Sequence, residues 1–288
     1  MISVIIPFYN EAEYLEHTIR ALHQQAFPRD RYELIFVDSH STDGSADIVR
    51  RYPDIRLLNE EKKNIYAALN RGIRQSRGDV LAFAGADCVP GPGWLAAISR
   101  AMEEGSSLVM GRCCFPGGGL LKAFEDYENS KAEYVLSRCP REFYYGYTNN
   151  LAAQRTLFDD MGLFAETPVT GDTEFVQRVI FRSPSLKMVY LPDMTVTHRE
   201  VENSWIWLRK MLIYGRYNRY LAGDRDYRVL DFKTRWKIFG HASRRYAYSP
   251  VRFLLSLMML ALGAVYYRAG EVCAAVFPPN FSKQEGSS

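Results

Sequence analysis

Short apolar runs alternate with helical patterns over the first ninety residues. The runs, which have the length of buried strands, cover residues 4–7, 34–38 and 80–84. Apolar residues recur at helical spacing between and around them, over residues 13–25, 45–51 and 65–77. Strands that alternate with helices predict an α/β protein with a doubly wound, mostly parallel sheet and flanking helices. In such sheets ligands bind at the carboxyl ends of the strands, so the polar residues that follow each strand are the first to inspect.

The pattern is less regular beyond residue 90. It predicts a helix over residues 94–104, a strand over 108–111, a glycine hinge or mobile loop at 117–119, an amphipathic helix over 120–136, and strands over 188–191 and 195–197. We find no internal repeat and no low-complexity tract.

Two carboxylates follow predicted strands and are candidate ligand contacts. Asp38 ends the second strand, and the residues after it (Ser41, Thr42 and Asp43) are of the kind that cap the next helix. For Asp38 a ligand role is favoured over capping, because of its place at the strand end. Asp87 follows the third strand, and its oxygens could bind Mg²⁺ or Mn²⁺ at a nucleotide diphosphate.

His198 and Asp172 can each be interpreted as a structural residue or as a functional one. His198 ends the last predicted strand; it is either a packed histidine or a nitrogen ligand to the cation that Asp87 would hold. Asp172 stands just before an apolar-periodic helix, where a carboxylate can cap the helix. It could equally remove the proton from an attacking hydroxyl, and the local sequence does not separate the two roles.

Six ordered blocks resemble family 2 glycosyltransferases, the large inverting group on the GT-A fold, from residue 2 to about residue 200. They are SVIIPFYNE (3–11), VDSHSTDGS (37–45), NIYAALNRGI (64–73), GDVLAFAGADCVP (78–90), TNNLAAQR (148–155) and GDTEF (171–175). His198-Arg199 resembles the tail motif of the family. Two departures stand out: Gly85 replaces the first acid of the D-x-D metal motif, and Ser39 replaces an acid in the second block.

The resemblance implies a role for each matching residue. Asp172 would be the catalytic base, and Mn²⁺ or Mg²⁺ would be held by Asp87 and His198. The nucleotide and donor would contact Pro7, Tyr9, Glu11, Asp38, Asn70, Ala86 and Asp87. The donor sugar or the acceptor would lie near Trp94, Asn150, Gly171 and Glu174.

The implied reaction moves a sugar, with inversion, from a nucleotide-diphosphate sugar to a hydroxyl group. The donor is expected to be a UDP-sugar. The acceptor is expected to be a glycan, or a polyprenyl-linked or other lipid-linked molecule, in cell-envelope or exopolysaccharide synthesis. The alternative is a non-catalytic scaffold that binds nucleotide sugars at a membrane. A Rossmann dehydrogenase and a P-loop enzyme are excluded, because neither glycine-rich string is present.

Charge and hydropathy set the C-terminal third apart. Residues 209–252 hold twelve Lys/Arg against three Asp/Glu, a net of +9 in a chain whose total is +3. The apolar run at 253–267 would form a helix of about 22 Å, short of the roughly 30 Å hydrocarbon core. Basic and aromatic residues beside such a run favour membrane association, as a monotopic anchor or short span, over a buried helix. No motif supports nucleic-acid binding.

These patterns predict four regions and a location. The regions are a catalytic domain (1–204), a basic amphipathic helical region (205–252), an apolar membrane-associating segment (253–277) and a polar tail (278–288). Five cysteines without regular spacing indicate reduced thiols. The first apolar run is a strand and not a signal peptide, which with the thiols predicts the cytoplasmic face of the membrane. The sequence predicts no oligomeric state.

Overall fold

The computed structural model describes residues 1–183, 185–200, 204–221 and 230–276. Contacts divide the chain into two units. The first comprises residues 1–114 and 145–199, and the second residues 115–144 and 200–288. The second unit thus includes a segment from the middle of the chain, whereas the sequence grouped everything up to residue 204.

One eight-stranded sheet forms the first unit, in the order β3-β2-β1-β4-β7-β6-β8-β5. The strands are β1 (Ile2–Phe8), β2 (Tyr32–Asp38), β3 (Ile55–Asn59), β4 (Val80–Ala84), β5 (Cys88–Pro90), β6 (Leu108–Cys114), β7 (Asn150–Gln154) and β8 (Met188–His198). Strand β7 runs antiparallel to both β4 and β6, and β5 runs antiparallel to β8. The α/β class with a mostly parallel sheet is confirmed, and the sheet is mixed at its centre and at one edge.

The helices of the first unit are α1 (Ala12–His23), α2 (Ser45–Arg50), α3 (Ile65–Gln75), α4 (Trp94–Glu103), α6 (Arg155–Met161) and α7 (Gly171–Arg182). The helices of the second unit are α5 (Leu120–Arg138), α8 (Ser204–Leu221), α9 (Phe232–Arg245) and α10 (Pro250–Val276).

Strand β1 is the centre of the core. Every residue from Ile2 to Phe8 is buried, as expected for a strand with parallel neighbours on both sides and helices over both faces. Helix α3 lies close to it: a Cβ on Gly72 would come within 2.4 Å of a methyl carbon of Ile5. Phe8 pairs with Asp38, so the chain leaves β1 and β2 at the same edge of the sheet.

The two strands predicted near residue 190 are one strand, β8. Its pairing with β6 shifts where Leu191 lies opposite Gly111 and Thr195 opposite Arg112, so residues 192–194 form an irregularity within the strand. A proline, which has no N–H to donate, is accommodated at such a bulge. Pro192 therefore interrupts the pairing without ending the strand.

Helix α10 is longer than the predicted apolar run. Its 27 residues give a length of about 40 Å, because it continues past Tyr267 through Arg268 and Glu271. By length and composition it could cross a membrane, a criterion that core helices of soluble proteins also meet. The predicted polar tail, residues 278–288, lies outside the described residues.

Candidate functional site

The turns that follow β1 and β2 are hydrogen-bonded to each other. The N–H of Asn10 donates to Ser41 Oγ at 2.9 Å, and the N–H of Thr42 donates to Asn10 Oδ1 at 2.8 Å. The N–H of Ala12, the first residue of α1, donates to Asp43 Oδ2 at 3.0 Å. The loop after β2 therefore caps α1, where free N–H groups need partners. Asp43 also accepts from the first residue of α2, so the predicted capping of α2 is only one of its roles.

Asp38 shapes a turn and lines a cavity. Its Oδ1 accepts a hydrogen bond from the N–H of Ser41 at 2.9 Å, which shapes the turn. Its side chain also lines an open cavity of about 420 Å³ whose wall includes Asn59 and Arg50. Asp38 is thus placed at the sheet edge where a ligand can reach the cavity.

The other predicted nucleotide contacts on β1 and in the turn after it differ in exposure. Pro7 is buried within the strand opposite Val37. Tyr9 is 42% exposed, and Lys63 Nζ lies 4.8 Å from its ring centroid and 3.1 Å from its hydroxyl. Glu11 is half-buried at the N-cap position of α1. Tyr9 is therefore the one of these three side chains with an exposed ring at the edge.

Asn70 holds a loop in the structure. Its Nδ2 donates to the carbonyl of Phe164 at 2.9 Å, and its Oδ1 accepts from the N–H of Phe164 at 3.1 Å. Lys62 fixes the same loop through Glu166 at 2.9 Å. The main chain of Phe164 engages both ends of the amide, so Asn70 fixes the loop that precedes α7. Its contact with the donor stays a prediction.

Asp87 and His198 meet at the edge of the sheet. His198 Nε2 lies 2.6 Å from Asp87 Oδ2, and both side chains are nearly buried. The contact follows from the sheet, because Cys88 of β5 pairs with His198 of β8 and the N–H of Arg199 donates to the carbonyl of Asp87 at 2.8 Å. One ligand atom each from Asp87, Cys88 and His198 lie within 4.8 Å of one another. A carboxylate oxygen and an imidazole nitrogen suit Mn²⁺, so these residues fit the expected ion.

Gly85 is closely packed against this pair. A Cβ at that position would lie 2.5 Å from Asp87 Oδ1 and 3.4 Å from Asn149 Oδ1. The present conformation of Asp87 therefore requires a glycine where the family motif has its first acid. Ala86, between them, is buried, and its carbonyl accepts a hydrogen bond from Thr18 Oγ1 at 2.7 Å.

Asp172 is held by three hydrogen bonds. It is the second residue of α7, and its carboxylate accepts from the N–H groups of Thr148 at 3.1 Å and Thr173 at 2.8 Å, and from the side chain of Tyr66. Burial raises the pKa of Asp172, and these hydrogen bonds oppose the rise. The N-cap of α7 is Thr170, whose side chain makes no capping hydrogen bond, whereas Asp172 accepts the N–H of Thr173 in the first turn. The structure is compatible with a helix-start role for Asp172 and with the catalytic role.

Gly171 lets Tyr66 approach the start of α7. A Cβ on Gly171 would lie 2.5 Å from the carbonyl oxygen of Ala165 and 3.0 Å from a ring carbon of Tyr66. The preceding residue, Thr170, adopts the left-handed conformation with φ of 66°. Gly171 thus allows close packing at the start of α7. Its place near the donor sugar or the acceptor stays a prediction.

Glu174 has a structural partner on its own helix. Its carboxylate pairs with Arg178 at 2.7 Å, and Arg178 also donates to the carbonyls of Gly162 and Leu163. This network connects α7 to the loop after α6.

Trp94 and Asn150 form a buried hydrogen-bonded pair. Both side chains are fully buried, and Trp94 Nε1 donates to Asn150 Oδ1 at 2.8 Å. The Asn150 amide nitrogen donates to the carbonyls of Arg112 and Met194. In the structure the two residues cross-link elements inside the core, and their place near the donor sugar or the acceptor stays a prediction.

Two consecutive residues connect Asp172 with the Asp87–His198 pair. The N–H of Thr148 binds the carboxylate of Asp172 at 3.1 Å, and the Asn149 amide lies 3.5 Å from His198 Nδ1. The segment just before β7 therefore places Asp172 and the Asp87–His198 pair side by side. Asp38 and Tyr9 lie at the same edge of the sheet, after β2 and β1.

Sequence reasoning missed Tyr66, Cys88 and Asn149. Cys88 and Asn149 each lie next to a residue that was singled out, at the junction of a turn and a strand. The neighbour of Asn149 is Asn150, which is buried. Tyr66 gives no signal in sequence, because its contact with Asp172 joins residues more than a hundred positions apart.

Known proteins resemble this chain in sequence. The chain is 32% identical to glycosyltransferase AglE of Haloferax volcanii over 199 residues, which are 66% of this chain and 64% of that protein. It is 24% identical over 192 residues to a dolichyl N-acetyl-alpha-D-glucosaminyl phosphate glucuronosyltransferase of Methanococcus voltae, covering 61% of this chain and 57% of that one. It thus spans less than two-thirds of these relatives.

A solved structure with the same fold is the mannosyltransferase PcManGT of Pyrobaculum calidifontis in complex with GDP-Man and Mn²⁺. The superposition has a TM-score of 0.60 at 21% identity and covers 96% of this chain and 81% of the mannosyltransferase. The sequence profile of glycosyl transferase family 2 matches residues 3–166, more than half of the chain. With the GT-A sheet and the ordered motifs at its edge, this shows that the chain belongs to glycosyl transferase family 2.

Proposed function

We propose that this chain transfers a sugar, with inversion, from a nucleotide-diphosphate sugar to a hydroxyl group of a glycan or lipid-linked acceptor. The observation that carries the proposal is the pair of neighbours Thr148 and Asn149. They hold the Asp172 carboxylate and contact His198, so the residues that would serve as base and as diphosphate-binding pair share one edge. An inverting transfer needs both, on opposite sides of the anomeric carbon.

The donor end of the site lies after β1 and β2. Asp38, which lines a cavity, would accept hydrogen bonds from the nucleobase, and the exposed ring of Tyr9 would stack on it. UDP-sugars are the first candidates, and GDP-sugars are their direct competitors because PcManGT was solved with GDP-Man. The diphosphate would then lie near Asp87.

Asp87 and His198 would hold Mn²⁺ or Mg²⁺. When bound, the ion supplies positive charge that stabilises the departing nucleoside diphosphate. The chain itself contributes the orientation of the two ligands, since β5 and β8 fix them through backbone pairing. Asn149 lies against the other ring nitrogen of His198 and so helps to set the orientation of the imidazole.

Asp172 would take the proton from the acceptor hydroxyl as the oxygen attacks the anomeric carbon. Its raised pKa makes the carboxylate a stronger base, and it stays ionised at pH values above that pKa. The two backbone N–H groups and Tyr66 keep the carboxylate oriented. The bond to the leaving phosphate oxygen breaks as the new glycosidic bond forms, and configuration inverts in one displacement.

The acceptor is proposed to be lipid-linked, at the cytoplasmic face of a membrane. The relative from Methanococcus voltae acts, by its name, on a dolichyl-linked sugar phosphate. The apolar helix α10 of this chain is consistent with work at a membrane.

A donor screen tests the proposal. UDP-, GDP-, CDP- and dTDP-sugars are compared by thermal shift with and without Mn²⁺, and the stabilising donor is then assayed for transfer to a lipid-linked saccharide. We expect one donor class to raise the Tm only when Mn²⁺ is present, and to be turned over. Tight donor binding without transfer or hydrolysis would support the alternative of a non-catalytic scaffold.

A further inference from the structure

One side of α10 is apolar and exposed along its whole length. The exposed side chains include Val251, Leu254, Leu255, Met258, Leu262, Val265, Val272 and Val276. Only 17% of the most apolar 18-residue stretch of the helix is buried, so it is not the core helix of the second unit. An apolar surface of this length marks an interaction surface.

The opposite side of α10 packs against α8. Its buried residues (Ser256, Met259, Gly263, Gly270 and Ala274) recur at helical spacing along one side. A Cβ on Gly263 would lie 2.2 Å from the Trp207 ring, and a Cβ on Gly215 would lie 1.9 Å from the carbonyl oxygen of Tyr267. Glycines thus bring the two helices into backbone contact, and α8 must accompany α10 wherever α10 lies.

The charges of α8 argue against a spanning helix. Trp207 contacts α10 at Gly263, the midpoint of Pro250–Val276. Arg209 and Lys210 lie two and three residues after Trp207, and α8 itself has no acidic residue, although Lys210 pairs with Glu200 ahead of the helix at 2.8 Å. If α10 crossed a bilayer, Arg209 would lie near its centre, where a cation costs about 2.5–3.5 kcal/mol. A helix parallel to the surface avoids that cost, because long basic side chains can reach the headgroups.

Helix α9 adds charge and interfacial aromatics to the same surface. It has five Lys/Arg and no acidic residue, which favours anionic headgroups. Phe232 is 80% and Trp236 50% exposed, four residues apart and so on one side of the helix. One turn further on, Phe239 packs against Phe253 of α10 at 4.8 Å, which connects the two helices. Tryptophan beside an apolar surface is typical of the membrane interface.

We propose that the second unit docks on an anionic lipid surface, with α10 lying in the plane of the interface. Its outer apolar side enters the boundary between headgroups and acyl chains, and the basic residues of α8 and α9 contact the headgroups. This docking proposal specifies the membrane association that is part of the proposed function. Its test does not depend on catalysis.

Leu262→Glu tests the docking surface in the full-length protein. Binding is measured by cosedimentation with vesicles of phosphatidylcholine and phosphatidylglycerol. Phe181→Glu on α7 is the matched control, because Phe181 is 41% and Leu262 45% exposed. We expect Leu262→Glu to weaken vesicle binding roughly tenfold or more, from the lost apolar burial, and Phe181→Glu to leave it unchanged. Equal vesicle binding by Leu262→Glu and wild type would overturn the proposal, as would a dimer-to-monomer change without loss of vesicle binding.

The orientation of α10 is tested with a cysteine in the tail. Ser287→Cys protein is added to the outside of preformed vesicles and treated with a membrane-impermeant maleimide, before and after detergent. The same protein without the added cysteine corrects for the native thiols. For a helix in the interface plane, we expect the added cysteine to react to the same extent before and after detergent. Reaction only after detergent would show that α10 crosses the bilayer and would overturn the in-plane assignment.

Discussion

Tyr66 and Asp172 show how a side chain distant in sequence can set the chemistry of the site. Burial raises the pKa of the carboxyl group, and the hydrogen bond from Tyr66 lowers it by stabilising the ionised form. Because the base acts when ionised, activity should fall as the pH drops through that pKa, which lies above the ordinary value of 3.8. The acidic limb of the pH–rate profile therefore reports on Asp172.

Tyr66→Phe should move this acidic limb to higher pH. The substitution keeps the ring that packs beside Gly171 and removes only the hydroxyl group, so the carboxylate loses a stabilising donor. The measurement is kcat against pH, with KM for the donor determined at each point. A general fall in kcat with an unmoved limb would assign Tyr66 a packing role alone.

For an acid at position 85, the structure leads to the opposite prediction from the family motif. Restoring the acid with Gly85→Asp should weaken Mn²⁺-dependent donor binding, about tenfold, because its Cβ would displace the Asp87 carboxylate. Gly85→Ala introduces the same Cβ without the charge and should be impaired to a similar degree. Calorimetric titration of the donor with and without Mn²⁺ measures both variants. Tighter binding by Gly85→Asp would mean that the space around Asp87 is not limiting.

The elements themselves were unevenly predictable. Strands β1, β2 and β4 were found because each is a short apolar run, as central parallel strands are. Strands β3, β5 and β7 were missed: β3 is a half-exposed edge strand, β5 has three residues, and β7 begins with asparagine and contains two alanines. Their pairing depends on neighbours distant in sequence, which a local pattern does not contain.

The packing of α8 against α10 gives a stability prediction. Gly215→Ala should lower the free energy of unfolding by roughly 1–3 kcal/mol, because its Cβ meets the backbone of α10 at 1.9 Å. Gly240→Ala in α9 is the matched control: its Cβ meets only Arg244 at 3.6 Å, and alanine favours a helix over glycine by about 0.5–1 kcal/mol. Thermal unfolding measures both. A neutral Gly215→Ala would contradict the close approach of the two helices.

At the scale of the whole molecule, the fold class and the order of the motifs could be predicted, and the grouping of segments could not. Residues 115–144 are grouped by their contacts with the C-terminal helices in the second unit, although in sequence they lie between strands of the sheet. The amphipathic pattern of α5 shows that it buries one side and does not show against what. Within the site, Asp38, Asp87 and His198 could be predicted to lie at one edge of the sheet, because each lies at or after the end of a strand. The bridge from Asp172 to His198 through residues 148 and 149 emerged only in three dimensions.

The central claim is that the Asp172 carboxylate is the base of a sugar transfer at this edge. It is tested most directly by the transfer rate of Asp172→Asn with the donor found in the screen, beside Asp160→Asn, an exposed carboxylate on α6. We predict that Asp172→Asn lowers kcat by about 10²–10⁴-fold while donor affinity with Mn²⁺ is retained, and that Asp160→Asn behaves as wild type. Turnover by Asp172→Asn close to that of wild type would contradict the account.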